Sequence, residues 1–180
     1  METREGIVAD SVATSTDNQP IQDRATGRRP LLVFYGRTGQ TKKFVDRVGA
    51  IIDVDTLEIT AKNATTAQPP GPYVLVTPSY GAGKRDRAVP APVYKFLSNR
   101  RSRDLCIGTV GGGNTNYGIA YGYAADILAA KLTQDQQRRD PGRETRTLFK
   151  FEGFGLPGEP EVCAQILQEL WDEKFPPEAA

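Results

Sequence analysis

The sequence predicts an α/β domain in which five parallel strands alternate with helices. Two observations carry this. Short continuous apolar runs recur at LLVFY (31–35), YVLVT (73–77) and LCIGTV (105–110), the pattern of strands buried on both faces. Between them lie segments whose apolar residues recur at helical spacing, and helices linking buried strands imply right-handed crossovers and a parallel sheet. A chain of 180 residues suits one domain with a sizeable core.

The elements follow in order. Residues 1–29 hold no sustained period and read as a disordered tail; the domain is expected over 30–175, with a short tail at 176–180. The first strand, 31–35, ends in a glycine turn. Phe44, Val45, Val48 and Ile51 then mark a helix face. Residues 52–59 alternate as a less buried edge strand does, and NATTAQPPGP is loop. After the strand at 73–77, Pro90 and Pro92 open a short helix carrying Val93, Phe96 and Leu97. The strand at 105–110 precedes an alanine-rich helix over 116–132, with Ala120, Ala124, Ile127 and Leu128 on one face. Polar residues 134–144 read as a surface loop. A fifth strand spans 147–151. The last helix starts near Pro160, with Val162, Cys163, Ile166, Leu167 and Leu170 inward; Trp171 reads as packing.

Composition narrows the chemistry. Histidine is absent, which excludes Ser-His-Asp triads, Cys-His pairs and histidine-held metal sites. Redox or group-transfer chemistry would therefore need a cofactor. The two cysteines, Cys106 and Cys163, are too few for a disulfide framework or zinc site and read as buried thiols. A net charge of +1 argues against nucleic acid as partner. The basic clusters 84–87, 100–103 and 138–143 read as solvated loops. No apolar run approaches a membrane span and no secretory leader is seen, so the expected location is the cytoplasm.

Three loops follow strands at one sheet edge, where open parallel sheets bind ligands. GRTGQT (36–41) joins a strand to a helix N-terminus. Its Thr38, Gly39, Gln40 and Thr41 suit an anion, or Thr38 caps the helix and the glycines make a turn. The second, TPSYGAGKRDRAVP (77–90), sets Tyr80 beside Gly81 and Gly83: an aromatic plane for a flat ligand, or a plain glycine turn. GGGNTNYG (111–118) offers main-chain N–H groups around Tyr117, with Asn116 as an alternative helix cap. No Walker A loop exists, since Pro78 and Arg85 stand where Gly and Ser/Thr belong before and after Gly83–Lys84. No Gly-x-Gly-x-x-Gly follows the first strand. A phosphate end and a flat aromatic end together fit a flavin mononucleotide.

The order YGRTGQT, TPSYGAG with AVP downstream, and GGGNTNYG before an alanine-rich helix resembles the NrdI proteins over residues 31–172. These are flavodoxin-like partners of class Ib ribonucleotide reductase. The resemblance implies a flavodoxin-like three-layer sandwich with strand order 2-1-3-4-5 and one FMN. It carries the phosphate loop onto Thr38, Gly39, Gln40 and Thr41. It carries the flavin-contacting loops onto Thr77, Ser79, Tyr80, Gly81 and Gly83, then Gly112, Asn114, Asn116, Tyr117 and Gly118. The loop after the fifth strand maps onto Glu152, Gly153, Phe154 and Gly155. The implied activity is delivery of an oxygen-derived oxidant to the dimanganese-tyrosyl radical site of the reductase small subunit. An unidentified donor would reduce the flavin, and the manganese belongs to the partner. The implied role is a redox activator rather than a stand-alone enzyme. Alternatives are an FMN-dependent small-molecule or quinone reductase, a general flavodoxin electron carrier, or a module that has lost FMN. Gly36 and Arg37 stand where the family often has serines; Arg37 either pairs with a phosphate oxygen or points to solvent. Gln40 replaces a common Asn and Tyr117 a common Phe.

Overall fold

The computed structural model describes residues 29–177. The expected tails at 1–29 and 176–180 lie outside the described residues except for positions 29, 176 and 177. Five strands form one parallel sheet: β1 (Leu31–Tyr35), β2 (Asp55–Ile59), β3 (Tyr73–Pro78), β4 (Cys106–Gly113) and β5 (Arg146–Glu152), ordered β2-β1-β3-β4-β5. The helices are α1 (Gln40–Gly49), α2 (Ala91–Leu97), α3 (Arg100–Leu105), α4 (Tyr123–Gln137) and α5 (Glu159–Lys174). The strand order reverses at β1, so right-handed crossovers send α1 to one face and the later connections to the other. On its face α1 packs beside α5, and on the opposite face α4 covers β3, β4 and β5. The core is sealed by Val33, Leu75, Val110, Phe44, Leu128, Leu167 and Trp171, all buried. The ring of Phe44 on α1 stacks on Phe151 of β5, fixing that helix above the sheet.

The strands at 31–35 and 73–77 form where the apolar runs place them, because burial on both faces leaves little choice of register. Elsewhere the structure corrects the sequence reading. The edge strand is shorter than 52–59 and starts at Asp55. β4 continues through the glycines to Gly113, because those residues let α4 approach: a Cβ on Gly111 would stand 2.8 Å from the Gly122 carbonyl oxygen. The expected helix over 116–132 is split. A 3₁₀ turn, Thr115–Ala120, is interrupted at Gly118, and α4 begins only after Gly122 at φ +62°.

That helix runs on to Gln137, inside the expected loop. Gln136 is buried there; its amide donates to the Arg103 and Cys106 carbonyls at 2.7 and 2.9 Å and accepts from the Thr145 hydroxyl. The basic cluster 100–103 is no loop but α3, capped by the Asn99 side chain. Arg103 and Arg139 are not solvated either: both bind Asp135, and Arg139 also binds Asp104. Ile51 lies beyond the end of α1 and is 46% exposed, and Val162 on α5 turns to solvent at 48% exposure, so α1 is shorter and the buried face of α5 narrower than the apolar pattern. Cys106 and Cys163 are buried and unpaired, and Trp171 packs on Phe175.

Candidate functional site

At the carboxyl ends of β1, β3, β4 and β5 lies an open cavity of about 360 Å³. That volume falls within the roughly 300–1,000 Å³ of small-molecule sites. Its walls come from four segments: Arg37, Thr38, Gln40 and Thr41; Pro78, Ser79 and Tyr80; Gly112, Gly113, Asn114 and Tyr117; Glu152 and Gly153.

The first wall is a helix start. Gly39 is the N-cap of α1 at φ +82°, a left-handed conformation that favours glycine, and it caps through no side chain. The first helical bond runs from the Lys43 N–H to the Gly39 carbonyl, so the N–H groups of Gln40, Thr41 and Lys42 have no acceptor one turn back. The first turn holds no acidic residue. An anion there meets three unpaired donors and the positive end of the helix dipole. Thr38 does not cap the helix, which removes the cap reading of this loop.

The second wall is tied down at both ends. The Ser79 N–H donates to the Gly112 carbonyl and the Tyr80 N–H to the Ala88 carbonyl, each at 2.9 Å. The Ser79 hydroxyl accepts from the Ala124 N–H at 2.9 Å and so serves as a partner for the first turn of α4. Tyr80 is thereby held at the rim. Burial pushes its phenol pKa up; the Arg37 main-chain N–H works against this and Tyr35 adds to it.

The third wall is polar and cross-braced. The Asn114 side chain accepts from the Asn116 N–H at 2.8 Å, so Asn114 is the cap and Asn116 is not. The Thr115 hydroxyl donates to Glu152 at 2.8 Å, and the Gly153 N–H to the Gly113 carbonyl at 3.2 Å. These bonds join the loops after β4 and β5. Tyr117 stays 48% exposed, so its ring is available to a ligand. The neighbouring Tyr121 phenol is pushed up to about 12, by burial first and by Glu159 and Glu152 next.

The cavity thus brings together Arg37, Thr38, Gln40, Thr41, Ser79, Tyr80, Gly112, Asn114, Tyr117 and Glu152. Gly39, Thr77, Gly81, Gly83, Asn116, Gly118 and Phe154 are not among its lining. Thr77 is fully buried and its hydroxyl turns to the Pro78 carbonyl. Gly81 and Gly83, both at positive φ, shape the turn that follows Tyr80, with Gly83 beside Tyr117. Phe154 lies over α1, with Lys43 and Arg47 at its ring and its carbonyl bound by Arg47. Two lining residues escape the sequence reading, Pro78 and Gly113. Both lie at strand ends beyond the apolar runs, where Pro78 pairs with Gly112 and Gly113 with Glu152 of β5.

The family model described as NrdI Flavodoxin like matches residues 32–136, more than half of the chain. The chain belongs to the NrdI family. It is 35% identical over 144 residues to the protein NrdI of Chromohalobacter salexigens, covering 79% of this chain and 96% of that one. It is 31% identical over 151 residues to the protein NrdI of Mycoplasmoides gallisepticum, covering 83% and 90%. Among solved structures it is similar to a short-chain flavodoxin associated with a non-canonical PDU bacterial microcompartment. That match has a TM-score of 0.54 and 16% identity, over 82% of this chain and 98% of that one, and it bears on the fold.

NrdI membership and a flavodoxin-like fold imply a flavin cofactor, and the donor set fits one. Unpaired N–H groups and the hydroxyls of Thr38 and Thr41 stand at one end, and two tyrosine rings amid accessible main chain at the other. Among the described residues, no helix is long and apolar enough to cross a membrane.

Proposed function

We propose that this protein holds FMN in the cavity and supplies an oxygen-derived oxidant to the dimanganese-tyrosyl radical site of the class Ib ribonucleotide reductase small subunit. It would act in the cytoplasm as a redox partner rather than a stand-alone enzyme, through one flavin-binding domain over residues 30–175. The observation that carries this is a single cavity joining the unpaired start of α1 to Tyr80 and Tyr117, in a chain of the NrdI family.

The N–H groups of Gln40, Thr41 and Lys42, with the Thr38 and Thr41 hydroxyls, would bind the phosphate. Tyr80 and Tyr117 would orient the flat ring system and shield it from water. Main chain from Pro78 to Tyr80 and from Gly112 to Asn114 would meet its polar edge. When bound, the flavin would supply electron transfer to oxygen. Glu152 is the one carboxylate in the cavity wall, and its bond from Thr115 holds it at the rim. Manganese in the small subunit is the species oxidised, and a separate donor returns electrons to this protein.

The test has two stages. Reconstitution with FMN should give a bound-flavin absorbance spectrum. Reduced protein, oxygen and Mn(II)-loaded small subunit should then produce a tyrosyl radical by electron paramagnetic resonance, above a control with free FMN. Turnover of NAD(P)H with a quinone, and no radical, would instead favour a reductase. Protein that stays colourless would favour a module without flavin.

A further inference from the structure

Arg37 is the cavity residue whose role the helix-start geometry leaves unassigned. It lies two positions before the α1 cap and is exposed. Its guanidinium carbon sits 5.5 Å from the centre of the Tyr80 ring, within cation–π range. Among the described residues no carboxylate lies within ion-pair distance of it. The same cavity offers it an anion subsite at the start of α1, lined by Thr38, Gln40 and Thr41. A cation placed at the positive end of a helix dipole is unfavourable unless an anion joins it. The arrangement is that of a charge parked on an aromatic face beside an anion site.

We propose that Arg37 is the residue that reads phosphate charge, held on Tyr80 so that it selects a phosphorylated flavin over its unphosphorylated counterpart. The inference rests on the FMN reading above. The N–H groups at the helix start favour any anion, and a guanidinium held beside them adds a charge-assisted, two-pronged contact that rewards the dianion further. A free arginine side chain carries about 2 kcal/mol of rotamer entropy, and stacking on Tyr80 removes part of that cost before the ligand arrives. Arg37 therefore links the two ends of the site: it sits on the ring that meets the flat group and it answers the phosphate. Phosphate monoesters take their second charge near pH 6, so selectivity should weaken below that pH.

The readout is quenching of flavin fluorescence on titration, which gives the affinity for FMN and for riboflavin separately. The ratio of the two cancels changes in ring stacking. Arg37→Ser should lower the FMN-to-riboflavin ratio by about tenfold to a hundredfold, the worth of a charged hydrogen bond. Arg37→Lys should keep part of the ratio, as a point charge without the fork. Tyr80→Leu should lower it by a smaller factor, and the double variant Tyr80→Leu, Arg37→Ser should fall no further than Arg37→Ser alone. An unchanged ratio in Arg37→Ser, with wild type still preferring FMN, overturns the inference and leaves the FMN reading standing. Additive losses in the double variant overturn the anchoring by Tyr80. Wild-type protein that quenches neither flavin overturns the FMN reading, and this inference with it.

Discussion

At the scale of single residues, two glycines beside the cavity separate conformational strain from crowding. Gly39 and Gly81 both have φ near +80°, where an L-residue is strained by about 1–2 kcal/mol. Around Gly39 a Cβ would meet nothing within 4 Å, so Gly39→Ala should cost only that strain. A Cβ on Gly81 would stand 2.5 Å from the Arg87 Cβ and 3.0 Å from its main-chain carbon. Because the contact involves the Arg87 main chain as well as its Cβ, relieving it requires the backbone of the second 3₁₀ turn to shift. Gly81→Ala should therefore cost about 2–5 kcal/mol, adding overpacking to strain. Urea unfolding of both variants tests this, and equal losses would show that the crowding at Gly81 is relieved elsewhere. The sequence marks both positions as glycine turns; it says nothing of Arg87, because that contact exists only once the loop has closed on itself.

At the scale of elements, α3 and α4 are joined by charge. Asp135 takes hydrogen bonds from Arg139 and Arg103, which hold its carboxyl at about 2, below the usual value near 3.8. Between those two values the unfolded chain binds a proton that the folded one does not, so stability rises with pH there. The contribution is fully present above about pH 4 and is lost as pH falls through 2. Asp135→Asn should be less stable than wild type at pH 7, and the gap should close between pH 4 and 2 in acid-unfolding curves. A gap that persists at pH 2 would assign the loss to packing instead. This joint is also where the sequence is least legible. QDQQRRD is polar throughout and has no apolar period, so hydropathy makes it a loop; its order comes from the buried Gln136 and from partners in α3 and before β5, which are distant in sequence. The strands are legible for the opposite reason, since continuous apolar runs need no distant partner to declare themselves. The site divides the same way: residues at loop starts, such as Thr38, Tyr80 and Asn114, are found from motif order. Pro78 depends on how far β3 pairs with β4, and Gly113 on how far β4 pairs with β5.

At the scale of the whole molecule, the two thiols report whether the layers open together. Cys106 sits on β4 and Cys163 on α5, both in one continuous core, and burial pushes each thiol up to about 12. At pH 8 neither has an appreciable thiolate fraction while folded, and neither meets solvent. Labelling must then proceed through opening, at a rate set by the opening equilibrium when closing is fast. Trp171 and Leu167 bury α5 in the same core that holds β4, so both cysteines should label with the same protection factor under native conditions. A ligand that binds only the folded state scales that factor by one plus its concentration over its Kd. FMN at about a hundred times its Kd should slow both thiols by about a hundredfold, although neither lies in the cavity wall. Mass spectrometry of labelled peptides separates the two rates. If Cys163 labels faster and ignores FMN, α5 opens as a separate unit and the site does not depend on it. If both slow together, the loops that build the cavity are stabilised through the same cooperative core that sets the strands in order.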